Sequence, residues 1–168
     1  MAEQIILKAA ILTISDKGSR GEREDLSGPK IKEIIEPFGY EVVEYKIIPD
    51  EFDDICKELK RIADDEIADV VFTTGGTGFS ERDVTPEATR AVCYRNVPGI
   101  PEAMRAYSMT ITKRAMLTRA AAGIRKKTLV INMPGSPKAV KESLDYIITE
   151  LRHGLEILKG QATECARK

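Results

Sequence analysis

Apolar positions follow two alternating rhythms along this chain, short unbroken runs and stripes at helical spacing, and together they predict strands alternating with helices. Ile5 to Ile14 is apolar apart from Lys8 and Thr13 and reads as a central strand. Ser27-Gly28-Pro29 opens a helix whose apolar set is Ile31, Ile34, Ile35 and Phe38, and Gly39 stops it. Tyr40 to Ile48 is a partly alternating strand ending at Pro49-Asp50, and the stripe Phe52, Ile55, Leu59 and Ile62 marks a helix from Glu51 to about Asp65. Ala68 to Thr73 has the composition of a buried parallel strand. Thr85 is placed to cap a short helix to Tyr94 with Pro86 in its first turn. Pro98-Gly99-Ile100-Pro101 then breaks that helix, and Glu102 to Thr118 reads as one helix carrying Met104, Tyr107, Ile111 and Leu117. Ala120 to Ile124 and Leu129 to Asn132 are strands joined around Lys126-Lys127, a connection so short that the pair must be antiparallel. Ser136-Pro137 caps a long final helix with Val140, Leu144, Ile147, Ile148, Leu151, Leu155 and Leu158 on one face, ended by Gly160.

Parallel strands need crossover helices, so this order predicts an α/β fold, a three-layer α/β/α sandwich with a mostly parallel sheet. Without internal repeats, low-complexity runs or a linker, residues 1–168 are expected to form a single domain.

In such sheets ligands bind beyond the carboxyl ends of the strands. Four polar segments are predicted to converge there: Ser15-Asp16, Pro49-Asp50, the loop from Gly75 to Asp83, and Pro134-Gly135-Ser136. The loop Thr73-Thr74-Gly75-Gly76-Thr77-Gly78 follows a strand, and glycines there let the backbone take positive φ and present N–H groups to an anion. It lacks the Gly-Lys-Ser/Thr of a nucleoside-triphosphatase loop and the G-x-G-x-x-G spacing of a dinucleotide site. Asp50 and Asp83 suit Mg²⁺, which takes one or two carboxylates plus substrate phosphates. Read structurally instead, Asp50 is a turn residue after proline and Asp83 shapes the entry to a helix. Ser136 has a sufficient role as an N-cap, and the helix behind it offers free N–H groups to a phosphate. Thr118 and Arg119 either reach the same pocket or simply end a helix. The polar segment Ser15 to Asp25 is a candidate lid.

Composition narrows the classes of function. A formal net charge of −1 from 26 basic and 27 acidic residues argues against broad binding to nucleic acid or membrane. No run approaches the ~20 apolar residues of a membrane span, and the N-terminus lacks a signal pattern, so the expected location is the cytoplasm. Cys56, Cys93 and Cys165 are far apart, which disfavours a zinc site or disulfide framework and casts them as small semi-buried apolar residues. His153, the one histidine, flanks an apolar helix face, leaving no material for a catalytic triad or a multi-histidine metal site.

The ordered set Thr-Thr-Gly-Gly-Thr-Gly, Arg82-Asp83-Val84-Thr85-Pro86-Glu87-Ala88-Thr89 and Asn132-Met133-Pro134-Gly135-Ser136-Pro137-Lys138 closely resembles the molybdopterin-binding family of molybdenum cofactor biosynthesis, in particular its adenylyltransferase branch. Ile14-Ser15-Asp16, Ile48-Pro49-Asp50-Glu51 and Leu117-Thr118-Arg119-Ala120-Ala121-Ala122-Gly123 extend the likeness over nearly the whole chain. The resemblance implies the same three layers with one antiparallel strand. It also implies a reaction in which the terminal phosphate of molybdopterin attacks the α-phosphate of ATP, giving adenylylated molybdopterin and pyrophosphate.

On that reading Gly75, Gly76, Thr77 and Gly78 hold the molybdopterin phosphate, and Thr74 beside them also binds substrate. Asp50 and Asp83 serve catalysis through Mg²⁺, with the direct ligand left open between them. Ser15, Asp16, Thr118, Gly135 and Ser136 contact either substrate. The family implies homotrimers or hexamers, with Val97, Ile100, Met104 and Tyr107 as contact candidates, and hand-over to a downstream molybdenum-insertion protein. Rival readings are a family member that binds molybdopterin without transfer, and a nucleotide pyrophosphatase or deamidase-associated domain. The intact Arg82-Asp83-Val84-Thr85-Pro86 run favours the catalytic branch.

Overall fold

A computed structural model describes residues 5–161. Its strands are β1 (Leu7–Ile14), β2 (Tyr40–Ile48), β3 (Val70–Thr74), β4 (Arg95–Asn96), β5 (Ala122–Arg125) and β6 (Thr128–Met133), in sheet order β2-β1-β3-β6-β5-β4. β1 pairs in parallel with β2 and β3, and β3 with β6, whereas β5 runs antiparallel to both β6 and β4. One reversed strand in an otherwise parallel sheet agrees with the expectation.

The helices are α1 (Asp16–Ser19), α2 (Ser27–Ile35), α3 (Phe52–Asp64), α4 (Thr85–Val92), α5 (Gly99–Met109) and α6 (Pro137–Leu158). Alternate residues of β1 serve opposite layers, as strand periodicity requires. Leu7, Ala9 and Ile11 pack with α2, α5 and α6, while Ala10, Leu12 and Ile14 pack with α3 and α4. The α6 stripe Val140, Leu144, Ile147, Ile148, Leu151 and Leu155 is buried, each large side chain contributing about 1.5–3 kcal/mol of transfer free energy.

Three local expectations are corrected. Glu102 to Thr118 is not one helix: α5 ends at Met109 and a 3-10 turn covers Lys113–Leu117. The cause is Thr110-Ile111-Thr112, a β-branched run of poor helix propensity, in which Thr112 Oγ1 instead caps the next turn through Arg114 N–H at 3.4 Å. The α5 helix also begins earlier than expected, at Gly99 and not at Glu102, because a first helical turn does not need the N–H that Pro101 lacks. Thr85 is the first residue of α4 and Val84 occupies the cap position. The Thr85 N–H donates to Gly76 O at 3.2 Å and its buried hydroxyl has no partner. β4 had no signal, being two exposed polar residues.

Candidate active site

Carboxyl ends of β1, β2, β3 and β6 meet around a cleft of about 460 Å³ lined by Ser15, Asp50, Thr74, Gly75, Gly76, Asp83, Gly135 and Ser136, together with Thr13, Arg23, Glu24, Asp25 and Ser27. Glycine is required at its floor. Gly75 has φ 97° and a β-carbon there would lie 2.4 Å from the carbonyl oxygen of Ile14. Gly76 has φ 69°, and its β-carbon would meet Thr85 Oγ1 at 2.2 Å and Asp50 Oδ1 at 3.3 Å. Asp50, though it follows a different strand, is thus directly against the glycine turn. A β-carbon on Gly135 would sit 3.5 Å from the Cα of Gly75, so the loops after β3 and β6 also touch. Thr74 Oγ1 and Ser27 Oγ fasten that second loop by donating to Pro134 O at 2.5 Å and Gly135 O at 2.8 Å.

Asp83 reaches the cleft through a closed turn. Its N–H donates to Ser80 O at 2.9 Å, and Ser80 N–H donates back to Asp83 Oδ2 at 3.0 Å. A side chain at Gly78 would strike that same oxygen at 2.8 Å. Arg119 ties the turn down: its Nε donates to Gly78 O at 2.7 Å, its Nη2 to Asp83 O at 2.5 Å, and its Nη1 pairs with Glu87.

Asp16 and Asp50 bond each other reciprocally, Asp16 N–H to Asp50 Oδ2 at 2.8 Å and Asp50 N–H to Asp16 Oδ1 at 3.0 Å. The Arg82 guanidinium bonded to Asp16 holds that carboxyl below its ordinary range. Burial pushes Asp50 the other way, with the charges of Asp16 and Asp83 adding to it. Among the described residues no hydrogen bond reaches Asp50 Oδ1 or Asp83 Oδ1. Two part-buried acids with donor-free oxygens in one cleft fit a hard divalent cation shared with substrate oxygens. No group of three His, Cys, Asp or Glu side chains forms a closed metal cage among the described residues.

A sequence profile of the probable molybdopterin binding domain matches residues 10–153. The chain belongs to this family. A Helicobacter pylori (strain J99) protein named molybdopterin adenylyltransferase is 40% identical over 160 residues, covering 94% of this chain and 91% of that protein. The crystal structure of the molybdopterin biosynthesis enzyme MoaB from Thermus thermophilus superposes with a TM-score of 0.88 at 43% identity, covering 95% of this chain and all of that one (100%). The tungsten cofactor synthesizing protein MoaB from Pyrococcus furiosus gives 0.83 at 40% identity over 92% of this chain and 98% of its own.

In this molybdopterin-binding domain the remaining residues singled out from sequence fall as follows. Ser15 caps α1, its Oγ accepting Gly18 N–H at 3.0 Å, and Ser136 caps α6, accepting Ala139 N–H at 3.2 Å. Asp16 stands behind Asp50, and Thr77 and Gly78 continue the loop, the Thr77 carbonyl accepting Arg119 N–H at 3.0 Å. Thr118 lines a separate cleft of about 230 Å³ with Met104, Arg105, Ser108 and Pro134. A larger groove of about 640 Å³ against α5 and α6 is lined mainly by apolar residues such as Ile100, Ile147 and Leu155, with Thr149 and Glu150 among its polar lining. Met104 is core, Val97 and Ile100 line that groove, and Tyr107 stacks on Tyr146 with ring centres 4.4 Å apart.

Sequence reasoning passed over Asp25. Its carboxylate accepts Ser27 N–H at 3.0 Å and Gly28 N–H at 3.2 Å, capping α2, and also takes Thr13 Oγ1 at 2.6 Å and the Tyr45 hydroxyl. Burial, reinforced by that bond, pushes Tyr45 up to about 12. The far end of the candidate lid is therefore pinned to β1 and β2, and Asp25-Leu26-Ser27-Gly28-Pro29 is the cap pattern that would have found it. Cys56 and Cys93 are buried, His153 is exposed on α6, and Cys165 lies outside the described residues. No helix among the described residues is long and apolar enough to cross a membrane.

Proposed function

We propose that this protein is a molybdopterin adenylyltransferase that joins AMP from ATP to the terminal phosphate of molybdopterin and releases pyrophosphate. The observation that carries the reading is the contact of Asp50 with the Gly75-Gly76 turn in a cleft shared with Asp83. In the reaction a terminal phosphate oxygen of molybdopterin forms a bond to the α-phosphorus of ATP as the bond from that phosphorus to the bridging oxygen breaks. The electron pair leaves with pyrophosphate. No protein nucleophile is needed; alignment and charge neutralisation do the work.

The N–H groups of the Gly75 to Gly78 turn and the N-terminus of α6 behind Gly135-Ser136 suit the phosphates. Arg23 is the one cation among the described residues lining the cleft. Asp50 and Asp83 would hold Mg²⁺, which when bound offsets negative charge on phosphate oxygens. We assign Ser15 and Thr74 to the cleft wall and Thr118 to a separate recess that Pro134 also lines. One domain carries the whole site. Assembly as a homotrimer or hexamer is supported by the exposed apolar side chains Met109, Ile111, Met116 and Leu117, and light scattering tests it.

Incubation with ATP, Mg²⁺ and molybdopterin, followed by mass spectrometry, decides the function. Adenylylated molybdopterin with equimolar pyrophosphate is expected. Asp83→Asn is expected to fold while losing product formation by about two or more powers of ten. Pyrophosphate without the adenylylated product would favour nucleotide hydrolysis, and tight molybdopterin binding with no product would leave a binding protein.

A further inference from the structure

We infer that Arg82 is a positioning residue that fixes Asp50 through Asp16, an inference resting on the assignment of Asp50 to the reaction. The guanidinium grips Asp16 with two bonds, Nε to Oδ2 at 3.0 Å and Nη2 to Oδ1 at 2.9 Å. The same Nη2 lies 2.9 Å from Glu51 Oε1 at the start of α3. Asp16 in turn holds Asp50 from both sides, its N–H on Oδ2 and its Oδ1 on the Asp50 N–H. Both oxygens of Asp16 are thereby used, and the oxygen of Asp50 left without a donor is the one that faces Gly76. One cation on the loop after β3 thus locks together the loops after β1 and β2.

Isolated ion pairs on a surface contribute little, and Arg82 is half exposed. Two features raise this one above that level: the bonds are bidentate and charge-assisted, and they belong to a network. There is also something to oppose. Asp16 and Asp50 are two acids in direct contact, with Glu51 and Asp83 nearby, and like charges at that range repel. Without Arg82 the reciprocal bonds hold two anions against each other, and the turn that presents Asp50 is expected to loosen. Arg82 adjoins Asp83 in sequence, so a single dipeptide supplies one acid to the cleft and secures the other.

The test uses Arg82→Gln, Arg82→Lys, Asp16→Asn and the double variant Arg82→Gln/Asp16→Asn in the full chain. Amide hydrogen exchange by NMR on the protein alone reads the clamp without any reaction. Exchange of the Asp16 and Asp50 amides is expected to accelerate at least about tenfold in Arg82→Gln, as local opening does when its closing contacts are lost, while β1 and β3 amides stay unchanged. Unchanged protection at those two positions overturns the inference. In steady-state kinetics Arg82→Gln is expected to lower kcat by on the order of 10–100-fold with little change in KM for ATP, the mark of a misplaced group. Arg82→Lys, which keeps charge without the fork, should fall between. The double variant should be no worse than the poorer single one, because both act on one contact. A raised KM for ATP at constant kcat, with additive effects, would instead make Arg82 a phosphate contact and defeat the proposal. A wild-type protein that makes no product fails the functional reading, and the exchange comparison still decides the clamp.

Discussion

Replacing Gly76 by alanine puts the central geometry under strain from two directions. The residue sits at φ 69°, where an L-side chain costs about 1–2 kcal/mol. Its new methyl would lie 2.2 Å from Thr85 Oγ1, a fully buried atom on the first residue of α4 that has nowhere to retreat. Overpacking of this kind costs a further ~1–3 kcal/mol, for a total of roughly 2–5 kcal/mol. With a urea m-value of about 1–3 kcal/mol/M, the midpoint should drop by on the order of 1–2 M. The two contributions separate in a cycle with Thr85→Ala, which removes the struck oxygen: Gly76→Ala should then cost less by the packing share and keep the φ share. Asp50 Oδ1, 3.3 Å from the same methyl, is also crowded, so product formation should fall further than stability alone explains. Gly135→Ala is the control, since its β-carbon would make an ordinary 3.5 Å contact, and it should stay within about 0.5 kcal/mol of wild type. If Gly76→Ala unfolded within that same margin, the close approach of the turn to Thr85 and Asp50 would be wrong.

Other substitutions test the surroundings. Burial raises Asp50 above its ordinary 3.8, so the fold binds its proton more tightly than the unfolded chain and loses stability as pH rises through that interval. In EDTA, Asp50→Asn should therefore stabilise the protein at pH 7 and do so progressively less as pH falls towards 3.8, with the effect gone below that value; an equal effect at both ends of urea titrations would contradict this. Arg119→Gln removes charged bonds to Gly78 O and Asp83 O and strands Glu87. It should cost about 1–3 kcal/mol and also reduce turnover, and loss of stability with full kcat would show that the Asp83 turn holds itself. Burial pushes the Cys93 thiol up to about 11 and raises Cys56 as well. In a Cys165→Ser background native protein should resist iodoacetamide at pH 8, and rapid labelling seen by mass spectrometry would count against those burials.

What could be read from sequence divides by the range of the interaction that decides it. Elements set by periodicity over many residues were legible: the stripe on α6, the run of β1 and the stripe on α3 each produced an element within a few residues of its observed ends. Elements decided by one or two residues were not. Thr85 looks like an N-cap by type, but the chain turns one residue earlier because its N–H goes to Gly76 O, a contact across the loop that no local pattern contains. β4 exists because Asn96 and Arg95 pair with Gly123 and Ile124 on β5, and neither residue carries a strand propensity of its own.

The same division runs through the site. The convergence of Ser15, Asp50, Gly75, Asp83 and Ser136 at one cleft follows from topology, since a parallel sheet delivers the loop after every forward strand to the same edge. The work of the side chains does not follow from topology. Asp16 and Asp50 look equivalent in sequence, each two residues past a strand, yet they lie in opposite electrostatic surroundings. The bidentate partner of Asp16 lies sixty-six residues along the chain, whereas Asp50 has desolvation and two neighbouring acids. Both Asp16 oxygens thereby accept bonds, while Asp50 keeps one oxygen without a donor, facing Gly76. Sequence names the acids that reach this edge, and only the long-range placement of Arg82 separates the acid whose two oxygens are both bonded from the acids that keep an oxygen without a donor.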